Sequence, residues 1–557
     1  MLTKISILKN KLFLAFLIGL ISAISFAPID FFPAIIISVA SLFLLINNSN
    51  SNIKSFKIGL FYGFGYFLSG IYWVAISLLV DPLKFAWLIP FALIIIPSIL
   101  AINFALMALF YNIIINKIKI FLTKEPPLYY KYLIFSILWL LCELTRFHLI
   151  GRFPWQMLGY SLISSENFSQ IASISGTFGL GWLVLLISSL PLLILSPQFK
   201  NSKIKITFNR QNNITASIIA IIMIVTSFIY GVFHQKSTVE IDYNQQIRLV
   251  QGNIKQTNKW IEDEKMKNLV KHIKISQEDP NPNLSAIIWP ETAIPFPIYQ
   301  DSEILEFLAP IVPDKGSLVS GAVRIELNQN NEIEGLWNSV IAIDKKLNLS
   351  TYDKHHLVPF GEFVPFQKFI PFIQKLTGGM MDFTSGKDNK IITLENNISF
   401  RPLICYEIIF FNDILDSFKP SFIAHLTNDS WFGNSSGPYQ HFEISRMRAI
   451  ENGLPMLRIA NNGISGLGFG VGTEPLPAVF ASNGCSILAT DQDLDQARMQ
   501  GWTNSLQHST NVAMLKYKDI TTLETLEKKV EFKPLDMLKI PKELNNSFDF
   551  VWSFWLW

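Results

Sequence analysis

Arg401-Pro402-Leu403-Ile404-Cys405-Tyr406-Glu407 is a short apolar run that ends in a cysteine with a carboxylate two residues beyond it. Taken alone, such a cysteine reads as a small core residue of a buried strand. Two other strand-like runs end in chemistry as well. Ile287-Ile288-Trp289-Pro290 leads into Glu291, and Tyr352-Asp353 leads into Lys354, followed by His355-His356-Leu357-Val358-Pro359-Phe360-Gly361-Glu362. A thiol nucleophile needs a base for its proton and a cation for the thiolate and the developing oxyanion. Glu291 can be that base if burial raises its pKa, and Lys354 can be the cation. Glu362 and Glu407 are placed to orient them. His355, His356, His425 and His441 offer a rival Cys-His dyad, with no flanking motif to support it.

Around these residues the chain has the pattern of an α/β domain. Short β-rich runs at 247–251, 286–289, 318–323, 339–343 and 403–406 alternate with helical stretches such as 258–277 and 438–452, as in sheets whose strands are buried. The spacing predicts one domain over 236–465, an ordinary size for this class.

The preceding 235 residues are different. Half of the 557 residues are hydrophobic and only 16% are charged, where a soluble domain carries about 25% charged residues. Apolar runs at 11–27, 32–47, 57–80, 84–113, 131–150, 170–197 and 214–234 predict a bundle of about seven spans. Lysine and arginine fall on alternate loops: Lys4, Lys9 and Lys11; Lys54 and Lys57; Lys117, Lys119, Lys124 and Lys131; Lys200, Lys203, Lys205 and Arg210. The positive-inside rule then puts the N-terminus in the cytoplasm and delivers the α/β domain to the far face. Glu143, Arg146 and Arg152 lie in or beside the fifth run, as an interfacial pair that snorkels or as groups with a role. Phe153-Pro154-Trp155 to Gly159-Tyr160 reads as a loop dipping into the outer interface. A net charge of +3 gives no ground for nucleic-acid binding. Cys142, Cys405 and Cys485 form neither a disulfide framework nor a zinc motif.

At these residues the chain resembles the apolipoprotein N-acyltransferases, membrane members of the nitrilase superfamily. The resemblance is carried by Trp289-Pro290-Glu291-Thr292, by Lys354 ahead of Leu357-Val358-Pro359-Phe360-Gly361-Glu362-Phe363-Val364-Pro365, by Ile404-Cys405-Tyr406-Glu407, and by Asn428-Asp429-Ser430-Trp431-Phe432-Gly433 with Gln440-His441. In the membrane half Phe26-Ala27-Pro28, Gly70-Ile71-Tyr72-Trp73 and Phe153-Pro154-Trp155 with Gly159-Tyr160-Ser161 agree. The resemblance implies an αββα sandwich over 236–465 and a site in which Glu291 is the general base, Lys354 the oxyanion-stabilising cation and Cys405 the nucleophile. Glu362 supports this site, Tyr406 and Glu407 shape it, and Trp260 lies on a mobile loop over the lipid entry. It further implies a phospholipid acyl donor, a diacylglyceryl apolipoprotein acceptor, no cofactor, and a bacterial inner membrane with the catalytic domain on the periplasmic side.

The resemblance thins after Asn461-Asn462-Gly463-Ile464-Ser465. The family's usual closing strands and final span are not recognised there. Residues 466–557 instead resemble a truncated class I S-adenosylmethionine-dependent methyltransferase, a partial Rossmann-like fragment. Gly468, Gly470 and Gly472 would form a cofactor-type loop and Asp491 a ribose-binding acid. Without a complete parallel sheet this fragment is expected to be inactive. Two alternatives to the acyltransferase stay open: a non-catalytic chimeric membrane protein, and a membrane-tethered amidase with water as acceptor.

Overall fold

The computed structural model describes residues 11–468, except 150–151, 196, 201–202, 207–210, 236–245, 279–280, 299–302, 331, 366, 369–374, 378–380, 388–390, 412–413 and 415–418. Beyond 468 it describes the backbone of Ile487–Asp491 and Val530–Pro534. The chain divides into two compact units, Met1–Val471 and Gly472–Trp557.

Each apolar run of the first half becomes a helix: Lys11–Ile21, Pro33–Asn47, Asn52–Gly70, Ile89–Leu122, Leu128–His148, Ala172–Leu195 and Gln211–Gln235. Among the described residues, four helical segments (Pro82–Leu122, Leu128–His148, Ala172–Leu195 and Asn213–Gln235) are long and apolar enough to cross a membrane. A fifth joins them if Asn52–Gly70 and Tyr72–Leu79, bent by 46° at Ile71, count as one span. Lys11–Ser25 and Pro33–Asn47 are shorter. At about 1.5 Å per residue, helices of this length fall short of a bilayer core of about 30 Å. The apolar side chains that face outward, among them Ile94, Ile99, Ile218 and Ile222, are those a lipid phase would cover. Inside, Tyr62, Phe104 and Trp139 pack edge-on around one another, and Tyr66 stacks on Tyr62 and tilts against Phe104. Gly59 permits this. A Cβ there would lie 2.2 Å from the Phe104 carbonyl oxygen, so only glycine lets the two helices approach so closely.

Glu143 and Arg146 are buried rather than snorkelling. Arg146 donates to the carbonyl oxygens of Phe153 and Trp155, and Glu143 accepts from the Leu158 amide at 2.6 Å. Together they satisfy the irregular backbone of 153–158, which a helix would otherwise satisfy by itself. Arg152 is exposed.

The α/β portion contains two sheets. In the first, Gln246–Leu249, Leu284–Ile288 and Ser317–Leu327 are parallel, Ile294–Ile298 lies beside the last of these, and Ile333–Ile343 and Leu349–Asp353 continue antiparallel. In the second, Ser399–Ile404, Phe422–Thr427 and Met456–Ala460 are parallel, flanked antiparallel by Ile392–Thr393 and Gly466–Gly468. Ala286, Ile288, Val319 and Val340 of the first sheet share a core with Phe400, Ile404, Ala424 and Ile459 of the second, so the sheets pack face to face. The outer face of the first is covered by helix Glu262–Gln277 through Leu269. The outer face of the second shares its core with Ile444, Met447 and Ile450 of helix Gly437–Asn452 and with Leu180 and Val184 of the membrane half. Helix, sheet, sheet and helix follow in order, and the last helix is bonded to the apolar bundle.

Gly466–Gly468 corrects the sequence reading. These residues form an edge strand with Gly468 opposite Met456, so Gly468 closes the second sheet rather than opening a cofactor loop. The two units part between Val471 and Gly472. Gly470 and Gly472 lie outside the described residues. Asp491 ends a strand paired in parallel with Val530–Pro534.

Candidate active site

Glu291, Lys354 and Cys405 each follow the carboxyl end of a strand and are brought together there. Trp289 and Pro290 carry the chain from Leu284–Ile288 to Glu291, Lys354 directly follows Leu349–Asp353, and Cys405 directly follows Ser399–Ile404. All three are buried. Lys354 Nζ lies 3.0 Å from Glu362 Oε1 and 3.9 Å from Glu291 Oε1. Asn338, from the middle of the neighbouring strand, donates to both carboxylates, at 2.8 Å to Glu291 and 2.9 Å to Glu362. Glu362 also accepts from the Val358 amide at 2.8 Å. Glu291 Oε2 is buried without a hydrogen-bond partner among the described residues.

The electrostatics follow from that packing. Burial raises the Glu291 carboxyl, and Lys354 pulls it back. Burial opposes charge on Lys354, but Glu362 and Glu291 outweigh it and hold the ammonium charged. Burial pushes the Cys405 thiol up to about 12, Glu291 adds to this, and Lys354 opposes it. Cys405 is therefore a thiol held against ionisation beside Glu291, with a fixed cation between two acids.

Cys405 has φ +48°, a strained conformation for a residue with a side chain. Two groups hold it. Glu407 accepts from the Ile404 amide, from Tyr352 Oη and from the amides of His355 and His356 at 2.7–3.2 Å, fastening the cysteine turn to the lysine loop. Behind the turn, His425 Nε2 and His441 Nε2 lie 3.0 and 3.2 Å from the Cys405 carbonyl oxygen. Two of the four histidines of the rival dyad, His425 and His441, thus engage the backbone oxygen of Cys405. Asp429 and Arg458, paired at 2.5 Å, brace them: Asp429 contacts His441 at 2.9 Å and Arg458 donates to His425 Nδ1 at 2.8 Å. Burial, then Arg458, pushes both histidines down, so they remain neutral.

The membrane half reaches this turn. Trp155 stacks on His441 at 5.5 Å, Trp73 and Trp155 both donate to Gln440 Oε1 at 3.1 and 2.8 Å, and Tyr406 stacks with Phe153 at 6.4 Å. Trp260 is 42% exposed on the 256–260 turn. The sequence reading missed Asn338, Arg458 and Lys259. Lys259 is 4% exposed and donates to the Glu291 carbonyl oxygen at 2.9 Å. A polar residue mid-strand in Leu336-Trp337-Asn338-Ser339-Val340 is a signal that could have found the first. Among the described residues no cluster of His, Cys, Asp or Glu could hold a metal ion.

Comparison with known proteins bears on both halves at once. Residues 18–190 match the apolipoprotein N-acyltransferase N-terminal domain, and residues 246–521 match the carbon-nitrogen hydrolase family. The chain is 37% identical to the apolipoprotein N-acyltransferase of Rickettsia typhi over 461 residues, covering 82% of this chain and 87% of that protein. The chain belongs to the apolipoprotein N-acyltransferase family. The enzymes of that name from Rhodopseudomonas palustris (33%, covering 85% of this chain and 87% of theirs) and Brucella melitensis (30%, 88% and 92%) are similar along comparable lengths. The hydrolase match continues beyond residue 465, at which the sequence reading ends that domain. The methyltransferase-like reading of 466–557 finds no counterpart in these matches.

Proposed function

We propose that this chain is a phospholipid:apolipoprotein N-acyltransferase working through a thioester on Cys405. The observation that carries the reading is the convergence of Glu291, Lys354 and Cys405 in one buried site of a domain bonded to an apolar helical bundle. Glu291 takes the thiol proton, and the thiolate attacks the ester carbonyl of a phospholipid. Lys354 stabilises the oxyanion. The carbonyl re-forms, the carbon–oxygen bond breaks, and Glu291 returns its proton to the departing lysophospholipid. The free amine of a diacylglyceryl-cysteine then attacks the thioester, Glu291 accepts its proton, and the thiol is restored as the amide forms. Glu362 and Asn338 position Glu291 and Lys354, while Glu407 and Tyr406 position the cysteine turn. Trp260, exposed beside the site, suits contact with a lipid.

The purified protein, given a defined phospholipid and a diacylglyceryl peptide with a free amine, is expected to release lysophospholipid and acylated peptide in equal amounts. Cys405→Ser is expected to lose both products and Cys142→Ser neither. Lysophospholipid release without peptide acylation would favour the amidase-like reading, with water as acceptor.

The charge pattern of the loops supports seven spans, a cytoplasmic N-terminus and a catalytic domain on the periplasmic side of a bacterial inner membrane. The two short helices then cross with thinning of the bilayer or help from flanking residues. A membrane-impermeant thiol label is expected to reach a cysteine placed at Asn330 from outside, and one placed at Ser202 only after permeabilisation. Labelling of both from the same side contradicts the count. We keep the division 1–235 and 236–465, adding Gly466–Gly468 to the second, and assign the tail no cofactor.

A further inference from the structure

Lys259 has no part in the chemistry just described, yet it is nearly as buried as Lys354. Lys259 is 4% exposed, against 42% for Trp260 and 49% for Ile261 beside it. The turn therefore turns two apolar side chains outward and one ammonium inward. The earlier part of this loop is pinned by amides. Asn461 bonds both the amide and the carbonyl of Ile254, and Asn428 bonds Gln256 at 2.7 Å. Nearer the tip, Asn268 reaches the Asn258 carbonyl at a longer 3.3 Å, and Lys259 Nζ reaches the Glu291 carbonyl oxygen at 2.9 Å. A neutral amide could serve a purely structural anchor. An ammonium is costly to bury, and here it is set within the field of Glu291 and Cys405.

We propose, resting on the acyl-transfer reading above, that Lys259 is a positioning residue that ties the Trp260 loop to Glu291, so that closing the loop brings a second cation to the thiol. Opening the loop for lipid entry withdraws that cation, and closing it over bound substrate restores it. The thiol is thus easier to deprotonate with the site covered than with it open. The charged and titratable groups around Cys405 are Glu291, Lys354, Asp429, His425 and His441. On the other side of Lys259, His272 is held neutral by burial, which pushes it down to about 4. Burial likewise brings Lys259 down to about 8, against the opposing pull of Glu291 and Cys405.

The test uses the full-length protein and the rate of iodoacetamide alkylation at Cys405, followed by peptide mass spectrometry. Lys259→Gln keeps a donor for the Glu291 carbonyl and removes the charge. Loss of the cation raises the thiol pKa, so alkylation at pH 7 is expected to slow by about threefold or more. Lys259→Arg is expected to stay near the wild-type rate. The difference is expected to be largest below about pH 8 and to fade above it, as Lys259 itself loses its proton. A merely structural anchor would act in the opposite sense, because a loosened loop exposes Cys405 and speeds alkylation. A Lys259→Gln rate equal to or above wild type would overturn the proposal. If the glutamine variant does not fold, Lys259→Met carries the same expectation and the same contrary result. The readout needs no acyl transfer, so failure here is distinct from failure of the acyltransferase reading, which Cys405→Ser decides.

Discussion

Lys354→Met is expected to lower acyl transfer by at least about a hundredfold, the typical effect of removing an oxyanion-stabilising donor, and to destabilise the protein as well. Lys354 is 1% exposed and is the cation between Glu362 at 3.0 Å and Glu291 at 3.9 Å. Without it, two buried carboxyls share only the Asn338 amide. Removing one partner of a buried charge cluster costs roughly 3–5 kcal/mol. The pH dependence fixes the cause. In the variant Glu291, already raised by burial, loses the Lys354 charge that pulls it back, so the stability it contributes is present at low pH and lost as pH rises through its raised folded pKa. The deficit relative to wild type should therefore shrink at pH 5 and be full at pH 8, as read by thermal unfolding in one detergent. A deficit that does not vary with pH would mean that lost packing, not charge, explains it.

Arg458→Met is expected to damage the site from behind. The guanidinium bonds Asp429 at 2.5 Å, His425 Nδ1 at 2.8 Å, Ser445 at 2.9 Å and the Ile464 carbonyl at 3.0 Å. These partners brace the two imidazoles at the Cys405 carbonyl, which the turn holds at φ +48°. Losing Arg458 strands Asp429, which is 2% exposed, again at roughly 3–5 kcal/mol. The coupling has a clean signature. Asp429→Asn added to Arg458→Met should recover part of the loss, because the stranded charge is gone. Activity should not recover, since the imidazole brace is not rebuilt. Additive losses in the double variant would show that the pair does not act as a unit.

How much of this was legible in the sequence varies with the physics that fixes each part. Glu291 and Cys405 were readable because each follows a buried strand rich in apolar residues, and Lys354 because it stands just ahead of the Leu357-Val358-Pro359-Phe360-Gly361-Glu362 motif. Glu362 and Glu407 were readable because they stand within the same short motifs. The strand before Cys405 was placed too late at both ends, as 403–406 instead of Ser399–Ile404. Arg401 and Pro402 hid its beginning: Arg401 is buried over the Tyr352 ring, a tertiary contact that no local pattern reports. Its end came early because Cys405 leaves the extended region. Helix 258–277 starts at Glu262, since the preceding residues form the turn that sends Lys259 inward. Lys259, Asn338 and Arg458 owe their places to partners 32, 24 or more and 29 residues away, so periodicity is silent on them. A glycine-rich run suits an edge strand as well as a ligand loop: Gly468 pairs with Met456 at the sheet edge, and Gly470 and Gly472 lie outside the described residues. In the membrane half, hydropathy found the seven longer helices but not which of them reach across.

The account stands or falls on a covalent acyl group at Cys405. The direct measurement is intact-protein and peptide mass spectrometry after incubation with a phospholipid of one defined acyl chain and no acceptor. One acyl unit is expected on the Cys405 peptide, removable by neutral hydroxylamine and chased onto a diacylglyceryl peptide amine when that is added. It should be absent from Cys405→Ser and unchanged in Cys142→Ser. An acyl adduct that persists on Cys405→Ser, or transfer that proceeds in that variant, would contradict the account.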